Sequence, residues 1–394
     1  MSEVYKRNTP TKIQTIVIGG GQAGLSVGYH LKKRNLPFLI LDANAHIGDA
    51  WRNRWDSLRL FTPARYAGLD GMAFRAPGDS YPSKEQVADY MVDYAKRFQL
   101  PVRNGTRVDR LWQENGRFVI AVGDQRFEAD NVVVAMSNYQ LPRVPDFADE
   151  LDPSIVQLHS HHYRNPSQLE KGGVLIVGVG NSGADIAIEV AQTHPTWISG
   201  KETGHIPFPI DSYVARNLLV RLVRFVGHHL LSLGTPIGRK VRPKLLHQAS
   251  PLVRVKPKDL TDAGIERGPR TIGVKDGLPL LADGRTLDVQ NVIWCTGYRH
   301  DFPWIDLPIF AADGDPIHER GIVKDIPGMY FIGLHFLYAM SSATLIGVGR
   351  DAKRIVNAIS ARNKHGQMAP QLHSVEALPS PVMITTAEGS ARIA

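Results

Sequence analysis

Two glycine turns carry the chemistry that can be read first. Gly19, Gly21 and Gly24 stand in the G-x-G-x-x-G spacing, and Gly178, Gly180 and Gly183 repeat it 159 residues later. In such a turn the first glycine permits a tight reversal and the second lets the backbone approach a pyrophosphate. The third lets a helix pack closely on a strand. The phosphates then face a helix N-terminus, where unpaired N–H groups and the helix dipole favour an anion. A lone match could be a βα unit that needs glycine only for packing. A repeat of the whole strand–turn–helix unit is much harder to obtain by chance.

The flanking elements have the form this chemistry needs. Thr15-Ile16-Val17-Ile18 reads as a strand, Leu25 to Arg34 as a helix, and Phe38-Leu39-Ile40-Leu41 as a second strand ending in Asp42. A carboxylate there can accept from ribose hydroxyls. In the second unit Val174-Leu175-Ile176-Val177 leads through the turn to a helix over Ala184–Gln192. Its next strand, Thr196-Trp197-Ile198-Ser199, ends in Gly200-Lys201 instead of an acid. Lysine attracts a ribose 2′-phosphate that a carboxylate would repel, so the second site leans toward NADPH. Glu202 beside Lys201 weakens that lean, and a solvated Lys-Glu pair is the alternative. Between the units, Pro82, Ser83 and Gln86 mark a helix start, and Val102 to Val134 reads as strands with turns at Asn104-Gly105, Asn115-Gly116 and Gly123-Asp124. Pro142 and Pro145 then mark a domain crossing.

Composition bounds the rest. A chain of 394 residues, 43% hydrophobic and 21% charged, is ample for two or three domains. The net charge of +8 is scattered, which suits an enzyme drawing anionic cofactors better than a nucleic-acid binder. Cys295 is the only cysteine, so C-x-x-C redox chemistry, intrachain disulfides and cysteine zinc sites are excluded. Met1 to Lys12 is polar, without an apolar signal core, and no uncharged apolar run reaches about 18 residues. A cytoplasmic enzyme is the expectation.

Gly19 to Gly24, Gly48 to Arg52, Arg59 to Pro63, Gly178 to Asp185 and Trp294 to Tyr298 follow one another in an order that resembles the flavin-containing monooxygenase superfamily, including its plant auxin-making branch. The likeness covers roughly residues 13–355. It implies an α/β fold with two Rossmann-like domains, an FAD domain built from N- and C-terminal segments (1–145 and 294–362) around an NADPH domain (146–293). Residues 363–394 read as a loosely packed or disordered tail. The resemblance places FAD contacts at Gly19, Gly21, Gln22, Ala23, Gly24, Asp42, Trp51, Arg52 and Thr62, with Val108, Thr296, Gly297 and Gly333 as further candidates. NADPH contacts fall on Gly178, Gly180, Asn181, Ser182, Gly183, Ser199 and Lys201.

The catalytic candidates are Phe61, Thr62 and His159. Phe61 stands where many relatives carry an asparagine thought to help hold the oxygenated flavin, and a phenyl ring cannot hydrogen-bond. His159 and Tyr163 match the end of the family stretch F-x-G-x-x-x-H-x-x-x-[FW], while Pro153 and Ile155 replace its first two positions. Tyr163-Arg164 does not supply the Trp-Pro pair of the Baeyer–Villiger branch. His159, His161 and His162 lack a nearby cysteine or paired carboxylate, so no metal site is assigned; a linker contact with cofactor and a solvated loop are the two readings. Cys295 reads as a small core residue.

Residues 213–243 form a basic helical insert, with Asn217 to Val226 and Leu230 to Leu233 as its apolar runs. Three readings stay open: a lid over the substrate mouth, a membrane-surface helix, or a packed pair or homodimer contact. Tyr338 to Thr344 reads as the start of a small-residue helix facing the flavin. The function that follows is NADPH-dependent insertion of one oxygen atom from O2 into a small lipophilic soft nucleophile, a sulfide or an amine, through a flavin C4a-hydroperoxide. Baeyer–Villiger or 2-oxo-acid decarboxylating oxygenation, an uncoupled NADPH oxidase or reductase, and a non-enzymatic nucleotide sensor are the rivals. No nucleic-acid partner is expected.

Overall fold

Apolar runs without polar alternation, the mark of strands covered on both faces, form the centres of two sheets. The computed structural model describes residues 10–210, 212–247 and 250–366. The chain begins with strand β1 (Thr11–Ile18), helix α1 (Gln22–Lys32), strand β2 (Phe38–Leu41), the short helix α2 (Asp49–Arg52) and helix α3 (Lys84–Arg97). Strands β3 (Val102–Arg103), β4 (Arg110–Glu114), β5 (Arg117–Val122) and β6 (Gln125–Val134) follow. Beyond β7 (Leu141–Pro142) come β8 (Val156–His159), β9 (Val174–Val177), helix α4 (Asn181–Val190) and β10 (Thr196–Ser199). The insert holds α5 (Val220–Phe225) and α6 (Pro236–His247). Then α7 (Pro257–Asp262), β11 (Glu266–Gly268), β12 (Thr271–Lys275), β13 (Leu278–Leu281) and β14 (Asn291–Trp294) lead to β15 (Tyr298–Arg299), β16 (Met329–Phe331) and α8 (Val348–Gly366).

The first sheet has the order β3-β2-β1-β6-β5-β4, and β16 also pairs with β6. Met329, Tyr330 and Phe331 lie in parallel register with Val132, Val133 and Val134, so the end of the chain completes a sheet begun by its start. The second sheet, β11-β10-β9-β14-β8, is parallel throughout. The triplets β2-β1-β6 and β10-β9-β14 are therefore equivalent, which makes these two Rossmann-like dinucleotide domains. Side chains of β9 alternate between two cores: Val174 and Ile176 join Ile293 on one face, while Leu175 and Val177 join Val292 and Trp294 on the other. Each fully buried aliphatic side chain contributes about 1.5–3 kcal/mol.

The Ser83 reading is borne out. Its hydroxyl accepts from Gln86 N at 3.3 Å, and Gln86 Oε1 accepts from Ser83 N at 2.9 Å, a complete capping box. Three expectations are corrected. Tyr338 to Thr344 is a series of turns, and helix α8 begins only at Val348. Within these turns the Ser342 hydroxyl accepts from both Tyr338 N and Ala339 N at 3.0 Å, folding the segment back on itself. Leu230 to Leu233 is not one helical run, because the chain leaves the helix at Leu231. Residues 363–366, assigned to the tail, continue α8; the rest of that tail lies outside the described residues.

Candidate functional site

The two glycine turns have one geometry. Gly19 (φ +110°) and Gly178 (φ +117°) both sit in backbone that favours glycine. A Cβ on Gly24 would lie 1.9 Å from Gly19 O, and one on Gly183 would lie 1.9 Å from Gly178 O, so each third glycine is demanded by the fold itself. The middle glycines differ: a Cβ on Gly21 or Gly180 would meet no protein atom within 4 Å. Space is kept there for something other than protein. Gly21 and Gly180 are also the N-caps of α1 and α4, and neither helix has a side-chain cap or an acid in its first turn. Gln22, Ala23 and Gly24, like Ser182 and Gly183, thus occupy first turns suited to phosphate.

Around the first turn, Asp42 is buried; its Oδ2 accepts from Gly20 N at 2.5 Å and its Oδ1 from Asn44 N at 2.7 Å. Thr106 N donates to Asp42 O, which brings the segment preceding Val108 to the same strand end. The chain's C-terminal part closes the site. Gly333 (φ +83°) would place a Cβ 3.1 Å from Ala23 Cβ, and Gln22 Nε2 donates to Ala343 O at 3.0 Å. Trp51 and Arg52 lie in α2, where Trp51 packs on the first core and Arg52 pairs with Asp89 at 2.8 Å. Phe61 is 44% exposed, and Thr62 beside it is half-buried.

At the second turn two candidate side chains are engaged with protein. Asn181 donates to Pro251 O at 3.0 Å and accepts from Val253 N at 2.9 Å; Ser199 shares a 2.6 Å bond with Thr271. Lys201 is exposed. A cleft lined by Val179, Gly200, Glu202 and Arg267 runs beside it. Arg267, on neighbouring β11, donates to Glu202 at 2.6 Å. Sequence reasoning passed over this second cation, since it lies 66 residues beyond Lys201 and only the pairing of β10 with β11 brings it near.

The two sites converge on a junction of five segments. Arg54 stands over the rings of Tyr139 and Tyr298, 5.5 and 5.8 Å from their centroids, and donates to Tyr298 Oη at 2.9 Å. Tyr139 and Tyr298 meet edge to face at 5.2 Å, His159 packs on Tyr298 at 5.1 Å, and His335 on Tyr139 at 5.8 Å. Tyr139, Tyr298 and His335 follow the C-terminal ends of β6, β14 and β16, and His159 ends β8, all at the edge where ligands bind in open α/β sheets. None of Arg54, Tyr139 or His335 belongs to a glycine motif, so no local signal announced them.

His159 is engaged with the protein on both ring nitrogens. Its Nε2 donates to Gly297 O at 3.0 Å and its Nδ1 accepts from His161 N at 3.1 Å, so neither nitrogen is open to a ligand. Burial pushes its pKa down to about 4, keeping the ring neutral. Gly297 (φ +85°) also accepts from Arg143 N at 3.0 Å, and the Thr296 hydroxyl donates to Arg143 O. Cys295 directly follows β14, with its thiol pushed up to about 12 by burial. Among the described residues no cluster of His, Cys, Asp or Glu could hold a metal ion.

Paired phosphate-cradling turns that converge on one junction define a two-dinucleotide-domain oxidoreductase. Comparisons with known proteins agree. Residues 16–199 match the pyridine nucleotide–disulphide oxidoreductase family model. An uncharacterised CzcO-like oxidoreductase of Geobacillus kaustophilus is 38% identical over 351 residues, covering 88% of this chain and 98% of its own. The probable indole-3-pyruvate monooxygenase YUCCA3 of Arabidopsis thaliana is 27% identical, covering 92% of this chain and 90% of its own. The structure is similar to a flavin-containing monooxygenase from Stenotrophomonas maltophilia, with TM-score 0.72, 28% identity, and coverage of 90% and 99% of the two chains. The chain belongs to the flavin-containing monooxygenase superfamily. It is an enzyme using FAD and NADPH, with O2 and a small molecule as substrates.

Proposed function

We propose that the enzyme transfers one oxygen atom from O2 to a lipophilic sulfide or amine in the cytoplasm, by way of the flavin C4a-hydroperoxide inferred from the sequence. NADPH, a proton, O2 and the substrate give NADP⁺, water and the S- or N-oxide. The carrying observation is the absence of a protein redox partner beside two nucleotide cradles. Cys295 is the only thiol, and burial keeps it protonated, so a flavin reduced from the second site has no dithiol to reduce. The bound flavin would supply hydride acceptance and oxygen activation. FAD would rest on the Gly19–Gly24 turn and Asp42, and NADPH on the Gly178–Gly183 turn. The Arg54–Tyr139–Tyr298 stack would hold the two strand ends together and limit water at their junction.

The test is a product balance with thioanisole, a tertiary amine, a cyclic ketone and a 2-oxo acid. One sulfoxide or N-oxide per NADPH is expected. Stoichiometric peroxide without oxygenated product would identify an oxidase and overturn the proposal. The likeness to YUCCA3 favours 2-oxo-acid decarboxylation as the second reading, and the same panel separates it. Phe61→Asn should lower the peroxide released when no substrate is present, by supplying an amide donor that the phenyl ring lacks; unchanged peroxide release would place Phe61 outside the reacting region.

Coenzyme choice rests on Lys201 and Arg267. The double variant Lys201→Ala/Arg267→Ala is expected to lower kcat/KM for NADPH about 10- to 100-fold, by loss of charge-assisted phosphate contacts. NADH turnover should change little. Glu202→Gln should act in the opposite direction, since it releases Arg267 from its ion pair. Steady-state assays with both nicotinamides decide the matter.

A further inference from the structure

From the insert we infer a docking surface for an anionic lipid bilayer. Residues 212–247 contain seven Lys and Arg and no Asp or Glu. π-turns at Ala215–Leu219 and Val226–Leu230 flank α5, and together they form one helical rod. Its inner face is anchored. Arg224 stacks 4.4 Å over Tyr66, Arg221 donates to Tyr66 Oη at 3.1 Å, and His228 bonds Ser341 Oγ at 3.0 Å.

The outer face is apolar and open. Leu218, Leu222 and Phe225 are 63%, 56% and 54% exposed, and Ile237 at the start of α6 is 59% exposed. Monomer surfaces do not normally gather large side chains in this way without a partner. Around them stand the exposed cations Arg239, Lys240 and Lys244. Charge selects the occupant. A second copy docked through the same face would bring two cationic patches together. An anionic bilayer accepts both components, with Leu and Phe at the acyl boundary and Arg and Lys among the headgroups. Because the rod rests on Tyr66 and Ser341, which flank the segments closing the first site, docking would turn that side of the enzyme toward the lipid.

The experiment is co-sedimentation of the whole FAD-loaded protein with vesicles of phosphatidylcholine alone or enriched in phosphatidylglycerol. Binding to the anionic vesicles at low salt is expected, falling roughly tenfold or more at about 0.5 M salt as screening shortens the reach of the cations. Leu222→Glu/Phe225→Glu should weaken it by on the order of 100-fold through loss of buried apolar area. Arg239→Glu/Lys240→Glu should weaken it at low salt and reduce the salt dependence. Retained FAD content and far-UV circular dichroism would show that these exposed substitutions leave the fold intact. Failure of the native protein to bind anionic vesicles at low salt overturns the inference. So does concentration-dependent dimerisation, without vesicle binding, that Phe225→Glu abolishes.

Discussion

Gly180→Val yields a folded, yellow protein that NADPH no longer reduces at a useful rate. The expectation follows from what a Cβ at position 180 would meet: no protein atom lies within 4 Å of it, so the first branch of a side chain enters open space. The volume it fills is the one a pyrophosphate needs above the N-terminus of α4. Two or so charge-assisted N–H contacts at about 1.5–3 kcal/mol each would be lost or stretched, weakening NADPH by on the order of 100-fold or more. Stopped-flow reduction measured against NADPH concentration, with the melting temperature as control, checks it. Gly21→Val is the matching variant at the first site and should give a folded but colourless protein. Gly183→Ala is the contrast. Its Cβ would fall 1.9 Å from Gly178 O, so it should lose stability together with coenzyme binding. Equal NADPH affinity in native and Gly180→Val protein would remove the second cradle from the mechanism.

Lys84→Met is expected to destabilise the protein by about 1–3 kcal/mol, the cost of leaving the carbonyls of Arg52 and Arg54 without their donor, while the half-exposed Asp56 returns to water. Lys84 is buried at the start of α3, and its ammonium donates to Arg52 O at 3.0 Å, Arg54 O at 2.7 Å and Asp56 Oδ1 at 2.7 Å. Three acceptors would lose their donor at once. Asp56 also accepts from Asn165 Nδ2 at 2.7 Å, and Asp56 N donates to Arg164 O at 2.7 Å, so the same knot ties the two domains. FAD affinity should fall too, since the loop presenting Arg54 to Tyr139 and Tyr298 loses its anchor. The pH dependence has a defined sign. The Lys84 bond, then that of Asn165, holds the Asp56 carboxyl below its usual 3.8. A depressed folded value gives stability that is present above the unfolded pKa and is lost as pH falls through the folded one. The gap between native and variant proteins in urea melts should therefore be widest near neutrality and narrow as the pH falls below 3.8. A gap that is constant with pH would assign the loss to the two carbonyls alone.

What could be read from the chain was whatever depends on near neighbours. Ser83 and Gln86 are three residues apart, and their capping box formed as the spacing implied. The strand at Val174–Val177 was visible as an apolar run, and it is buried along its whole length. Tyr338 to Thr344 misled because small residues satisfy helix propensity, while the Ser342 hydroxyl captures two backbone donors in the folded chain. His159 was visible as a motif position, but the engagement of its Nε2 depends on Gly297, 138 residues away.

By themselves the residues determined that this protein has two glycine turns with flanking strands and helices, an acid after one and a lysine after the other, and a single thiol. Those features are local or compositional, and backbone sterics with hydrophobic periodicity are sufficient to express them. Only the tertiary structure decided that Arg54 lies between Tyr139 and Tyr298, that Asp56 ties the domains through Arg164 and Asn165, and that Arg267 pairs with Glu202 beside the second turn. Each joins segments well separated along the chain, and parallel strand order, not spacing, determines which loop ends meet.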